Sequence, residues 1–192
     1  MAETPISSCE THSSSRLQKV FQQCFTQKWN TRLLGGADEP LYQPATKSGA
    51  RHMLYYREDY FASALHEVAH WCIAGPMRRQ KTDFDYWYAA DGRSRLQQQA
   101  FQAAEIKPQA LEWFFSRACS YRFQVSLDNL AMEYPEAVDL VEFQSSLLRQ
   151  ARSWQQSGLP ERAGLFFEAL CREFATEVRA EDLQFSLAEL VT

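Results

Sequence analysis

His66 and His70 stand four residues apart, and Glu67 directly follows the first of them. On an α-helix that spacing stacks both imidazoles on one face, where each can offer a ring nitrogen to a single metal ion. In hydrolases with the His-Glu-x-x-His pattern, the glutamate acts as general base on a metal-bound water. The plainer alternative is a buried helix whose histidines hydrogen-bond to backbone or to a carboxylate, because unpaired buried polar groups are costly.

Two histidines alone hold a catalytic metal weakly, so a third protein ligand is expected, with further positions open for water or substrate. A third histidine in the compact metzincin arrangement would fall at position 76, which is Pro76, and that arrangement is excluded. Of the two other histidines, His12 lies in a Ser- and Thr-rich N-terminal stretch and His52 just before the motif. A carboxylate is therefore favoured. Glu105 ranks first, because Gln109, Glu112 and Ser116 continue its stripe at helical spacing. Glu112 ranks second, and Asp83, Asp85, Asp91 and His52 stand behind them. Two histidines and one carboxylate suit Zn(II) for hydrolysis, with Glu67 as base, and equally suit Fe(II) for oxygen activation. The spacing by itself favours a small zinc hydrolase.

The elements that must position these residues can be read in outline. A helix from about Tyr60 to Ala74 carries the motif, with Glu58 and Asp59 as the expected N-cap and Gly75-Pro76 as the stop. Phe61, Leu65, Val68, Ala69, Trp71, Cys72 and Ile73 make it apolar around most of its circumference, which predicts burial on more than one side. Before it come a tail over residues 1–15, a helix from Arg16 to about Trp29, and three strands at Thr31–Leu34, near Leu41-Tyr42 and at Arg51–Tyr56, with Gly35-Gly36 as a turn. The third strand is expected to offer its edge to an extended substrate segment. After it, an aromatic stretch runs from Asp83 to an Asp91-Gly92 turn. Helices follow over about Arg93–Ala104, from Pro108 to Cys119, over Pro135–Gln156 and over Pro160–Thr176, with a strand at Arg122–Ser126. The expected class is α+β: a small mixed sheet and a central buried motif helix with flanking helices, zincin-like, in one domain over residues 16–192.

Composition narrows the function. In 192 residues, hydrophobic residues make up 45% and aromatics 14%, enough for a real core. A net charge of -4 argues against a nucleic-acid binder that relies on overall charge. The five cysteines are widely spaced with no Cys-x-x-Cys, so neither a thiolate metal site nor a disulfide framework is suggested. No long apolar span or N-terminal apolar leader is visible, which makes the cytoplasm the expected compartment.

Longer blocks carry more than the motif. Asn30-Thr-Arg-Leu-Leu-Gly-Gly-x-Asp-Glu-Pro-x-Tyr42, Tyr60-Phe-Ala-Ser-Ala-x-His-Glu-x-x-His-Trp-Cys-Ile-Ala-Gly75, Asp83-Phe-x-Tyr-Trp-Tyr88, Asp91-Gly-Arg93 and Lys107-Pro-Gln-Ala-Leu-x-Trp113 follow one another along the chain. Together they resemble the bacterial elongation factor P hydroxylase family over about Leu17 to Phe174. The resemblance implies hydroxylation of a lysine of elongation factor P after β-lysine has been attached to it. It further implies a two-histidine, one-carboxylate non-haem iron site using molecular oxygen, on an α+β fold similar to a small metal-dependent endoribonuclease family.

Carried onto this chain, the resemblance makes His66 and His70 ligands. It leaves Glu67 as a support for the ligands, a proton acceptor or the carboxylate ligand itself. A long cationic modified lysine needs carboxylates and aromatic walls, for which Asp83, Asp85, Asp91, Tyr86 and Tyr88 are candidates. Arg78 and Arg79 are candidates for steering an acidic elongation factor P. Any need for 2-oxoglutarate stays open, since no arginine-centred oxoacid pocket can be assigned from one chain.

Overall fold

The computed structural model describes residues 12–85, 94–126 and 137–190. In chain order these hold α1 (Ser14–Trp29), β1 (Thr31–Ala37), β2 (Leu41–Gln43), β3 (His52–Arg57), α2 (Phe61–Ile73), α3 (Arg95–Ala118), α4 (Ala137–Ser157) and α5 (Glu161–Glu173), with short 3-10 turns between and after them. The class is α+β, as expected. Among the described residues, no helix is long and apolar enough to cross a membrane.

The sheet has the order β1-β3-β2, with β3 parallel to β1 and antiparallel to β2. β3 is thus the middle strand, and the expectation that it offers an edge to substrate is corrected: both of its sides are paired. Gly35 and Gly36 do not turn the chain either. They lie within β1 at a bulge between Leu34 and Ala37. A Cβ on Gly35 would come within 2.6 Å of the Tyr56 ring and 2.8 Å of the Glu58 carbonyl, so close packing against β3 explains the glycine.

Helix α2 lies between α3, β3, α5 and α1. Ala64, Leu65, Val68, Ala69, Trp71 and Cys72 are all buried, which realises the expectation of a helix apolar on several faces. Trp71 is enclosed by Phe21 and Phe25 of α1, with ring centroids 5.1 and 4.7 Å away. Its N-cap is Tyr60, with no side-chain cap, where Glu58 or Asp59 was expected. Glu58 has φ 46°, and its backbone bonds Gly36 and Ala37, so it continues the sheet instead of capping the helix. At the other end Arg162 of α5, itself buried, donates to the Cys72 carbonyl at 2.8 Å and sits 4.6 Å from the Trp71 ring. A cation there satisfies a carbonyl that the helix end leaves open.

Two helices were expected over residues 93–119; the structure has one. Pro108 lies inside α3 rather than at a start. Proline removes one backbone donor and crowds the preceding turn, but the run Pro108–Phe115 is entirely buried, and that packing keeps the axis continuous. Ser94 and Gln97 form the capping box that opens the helix. The strand expected at Arg122–Ser126 is also absent: the Ser126 backbone is bonded by the Gln109 side chain, and Phe123 stacks on Trp113. A side-chain partner for the backbone replaces a strand ladder there.

Candidate metal centre

Helices α2 and α3 run antiparallel along the site, because the later histidine meets the earlier glutamate. His70 Nε2 lies 3.1 Å from Glu105 Oε1, and His66 Nε2 lies 3.4 Å from Glu105 Oε2. The two Nε2 atoms are themselves 3.1 Å apart. One ligand atom from each of His66, His70 and Glu105 falls within 4.8 Å of the others, the closeness a shared metal ion requires. Glu105 is buried, while the histidine side chains keep 25% and 14% exposure, so one side of the cluster is open.

The remaining residues of the α3 stripe form the backing. Glu112 Oε2 lies 2.9 Å from His66 Nδ1, behind the ring. The Gln109 amide donates to Glu105 Oε2 at 3.4 Å and to the Ser126 carbonyl at 2.7 Å, and accepts from the Ser126 N–H at 3.1 Å. Ser116 is fully buried, and its hydroxyl has no hydrogen-bond partner among the described residues. Gln109, which the sequence marks only as part of a polar stripe, is thus in contact with a candidate ligand. Its signal was there: a polar side chain at helical spacing between two glutamates on an aromatic helix.

The electrostatics follow from this packing. Burial works against charge on His66, but Glu105 and Glu112 beside it prevail and push its pKa up to about 10. Burial likewise opposes the Glu105 carboxylate, and His70 and His66 overcome it, bringing it down to about 2. Glu105 is therefore ionised at neutral pH and ready to bind a cation. Burial raises the Glu112 carboxyl, with His66 offsetting part of the rise. Glu67 is also raised by burial, opposed by His66 and His70 and reinforced by Glu105 and Asp83.

Among the other candidates, His52 accepts from the Ala45 N–H at 3.1 Å through Nδ1, which also meets the Tyr42 hydroxyl, so it is tied into the β2–β3 region and outside the cluster. Asp83 accepts from the Tyr42 N–H at 2.8 Å, and its charge reaches Glu67 without its joining the cluster. The Arg79 guanidinium donates to the Ala74 carbonyl at 2.8 Å, and that of Arg78 to the Phe84 carbonyl at 3.4 Å. Both arginines thus brace the turns that follow α2. Tyr86, Tyr88 and Asp91, and the side chain of Asp85, lie outside the described residues.

Two imidazoles and one ionised carboxylate on packed antiparallel helices make this an α+β protein with a candidate two-histidine, one-carboxylate metal site. Residues 20–185 match the elongation factor P hydroxylase family, EpmC, and the chain belongs to that family. The elongation factor P lysine hydroxylase of Haemophilus influenzae is 40% identical over 166 residues, which cover 86% of this chain and 92% of that protein.

Proposed function

We propose that this protein hydroxylates the β-lysyl-modified lysine of elongation factor P, using a ferrous ion held by His66, His70 and Glu105 and molecular oxygen as co-substrate. The observation that carries the reading is the family match over residues 20–185, within which those three side chains converge. The relative's substrate and reaction support it, and they weigh against the zinc hydrolase that the motif alone favoured. The donor set fits a ferrous ion: two neutral imidazoles and one carboxylate leave coordination positions open. When bound, the metal would supply oxygen activation: one oxygen atom enters a C–H bond of the lysine side chain and the other leaves as water, with two electrons and two protons drawn from an external reductant.

The chain's own residues do the rest. His66 gives up its proton when its Nε2 becomes a ligand, while Glu105 is already ionised. Glu67, beside both histidines and with its carboxyl raised, is suited to hold and pass a proton next to the reacting side chain. Asp83, Asp91, Tyr86 and Tyr88 are proposed to receive the cationic lysine, and Arg78 and Arg79 to favour an acidic partner. We place the activity in one catalytic domain over residues 16–192, on a fold of the small metal-dependent endoribonuclease or zincin kind, acting in the cytoplasm where translation occurs.

Substrate choice tests the reading. Elongation factor P with and without β-lysine is offered in air to the iron-loaded protein with a reductant, and peptide masses are read. Oxygen gained on the β-lysylated protein alone supports the reading; equal gain on both refutes the dependence on β-lysine, and gain on neither refutes the reading as a whole.

A further inference from the structure

Glu112 approaches His66 from the side away from the cluster. Its Oε2 lies 2.9 Å from Nδ1, whereas the opposite ring nitrogen, Nε2, is the one grouped with His70 and Glu105. At that distance the pair shares a hydrogen bond, and with Glu112 as acceptor the hydrogen sits on Nδ1. A neutral imidazole holding its hydrogen there has its lone pair on Nε2, the atom a metal would take. Glu112 sits two helical turns beyond Glu105 on α3, and both are buried. One helix therefore supplies a ligand to the front of the cluster and an acceptor to its back.

We propose that Glu112 is a positioning residue: without coordinating the metal, it holds His66 in the Nδ1–H form and the ring orientation that aim Nε2 at the ion, and its charge makes that nitrogen a stronger donor. The inference rests on His66, His70 and Glu105 being the ligands. It has two separable parts, geometry and charge. Glu112→Gln keeps an acceptor oxygen and removes the charge, while Glu112→Leu removes both.

The test is titration of the metal-free protein with Co(II), read by visible absorption and by competition with a chelator, alongside the melting temperature of each metal-free variant. Loss of such a supporting carboxylate is expected to weaken binding about tenfold in Glu112→Gln and about a hundredfold in Glu112→Leu. Unchanged Co(II) affinity and absorption in Glu112→Gln, with only a lowered melting temperature, would overturn the proposal and leave Glu112 as a clamp between helices. That variant keeps its size and an acceptor, so the test stands even if Glu112→Leu fails to fold. Glu105→Ala separates the two readings. If it binds Co(II) as wild type does while Glu112→Leu does not, Glu112 is itself a ligand and the positioning role fails. If wild type takes up no Co(II), the metal centre fails and the inference with it.

Discussion

Glu105 Oε1 stands 3.1 Å from His70 Nε2, joining the middle of one buried helix to the last turn of another. His70 and His66 supply nitrogen from α2, and Glu105 supplies the carboxylate from α3. The packing of these two helices is therefore what assembles the candidate site.

That assembly predicts the effect of removing a ligand. His66→Ala, His70→Ala and Glu105→Ala should each weaken Fe(II) or Co(II) binding by more than the roughly 10–100-fold that losing a supporting residue costs. Hydroxylation should fall below detection. Equilibrium dialysis of each variant against Co(II) checks this, and a wild-type affinity in any of them removes that residue from the ligand set.

The same cluster makes the stability of the metal-free protein depend on pH. His66 rises from 6.5 to about 10 on folding, so its contribution is full below pH 6.5 and is lost as pH climbs through about 10. Glu105 falls from 4.5 to about 2, so its contribution is full above pH 4.5 and is lost as pH drops through about 2. Together these two groups favour the folded state most between pH 4.5 and 6.5, while the raised carboxyls of Glu112 and Glu67 take stability away as pH rises above 4.5 and so tilt the maximum toward the acid end of that window. Urea melts in chelator from pH 3 to 10 should show this dome, and Glu105→Gln should lessen its alkaline decline. A wild-type profile that does not fall between pH 7 and 10 would contradict the assignment.

Metal binding should carry the opposite dependence. His66 must lose its proton to bind, so affinity should rise about tenfold per pH unit between pH 7 and about 10 if one proton is released. Calorimetry in buffers of different ionisation enthalpy counts that proton, and a count of zero at pH 7.5 would refute it.

Gln109 ties a candidate ligand to the chain that follows α3. Gln109→Leu leaves the Ser126 N–H and carbonyl without that partner and Glu105 without one of its donors. Such losses cost about 2 kcal/mol, or a fall in melting temperature of about 4–8 °C for a chain of this size. Differential scanning calorimetry reads it, and a change under 1 °C would show the latch to be idle.

Arg162 acts from farther away. Arg162→Met keeps much of the packing against Trp71 but leaves the Cys72 carbonyl at the end of α2 without this donor and the Ala74 carbonyl with Arg79 alone. The expected loss is about 2 kcal/mol in urea unfolding. Co(II) affinity should stay near wild type, since the motif is intact. Loss of metal binding without loss of stability would contradict a purely structural cap.

Much of this was legible because it depends on local pattern. His66 and His70 at a four-residue spacing, the apolar circumference of α2, and the stripe from Glu105 to Ser116 all follow from helical period. What was not legible depends on contacts distant in sequence. Pro108 reads as a helix start until the burial of α3 overrides it. Gly35-Gly36 reads as a turn until Tyr56 and Glu58 are brought against β1, and the central place of β3 depends on a parallel pairing with β1 that periodicity does not encode. The distinction between Glu105 as a ligand candidate and Glu112 behind His66 also required knowing which imidazole nitrogen each one meets.

The most direct test of the central claim is the peptide mass of β-lysylated elongation factor P after incubation with this protein, Fe(II) and a reductant, in air and under argon. The account predicts one added oxygen atom on the modified lysine in air, none under argon, and none in either gas with His70→Ala. No added oxygen in air, with zinc tightly bound at His66 and His70, would contradict it and return Glu67 to the role of a hydrolytic base.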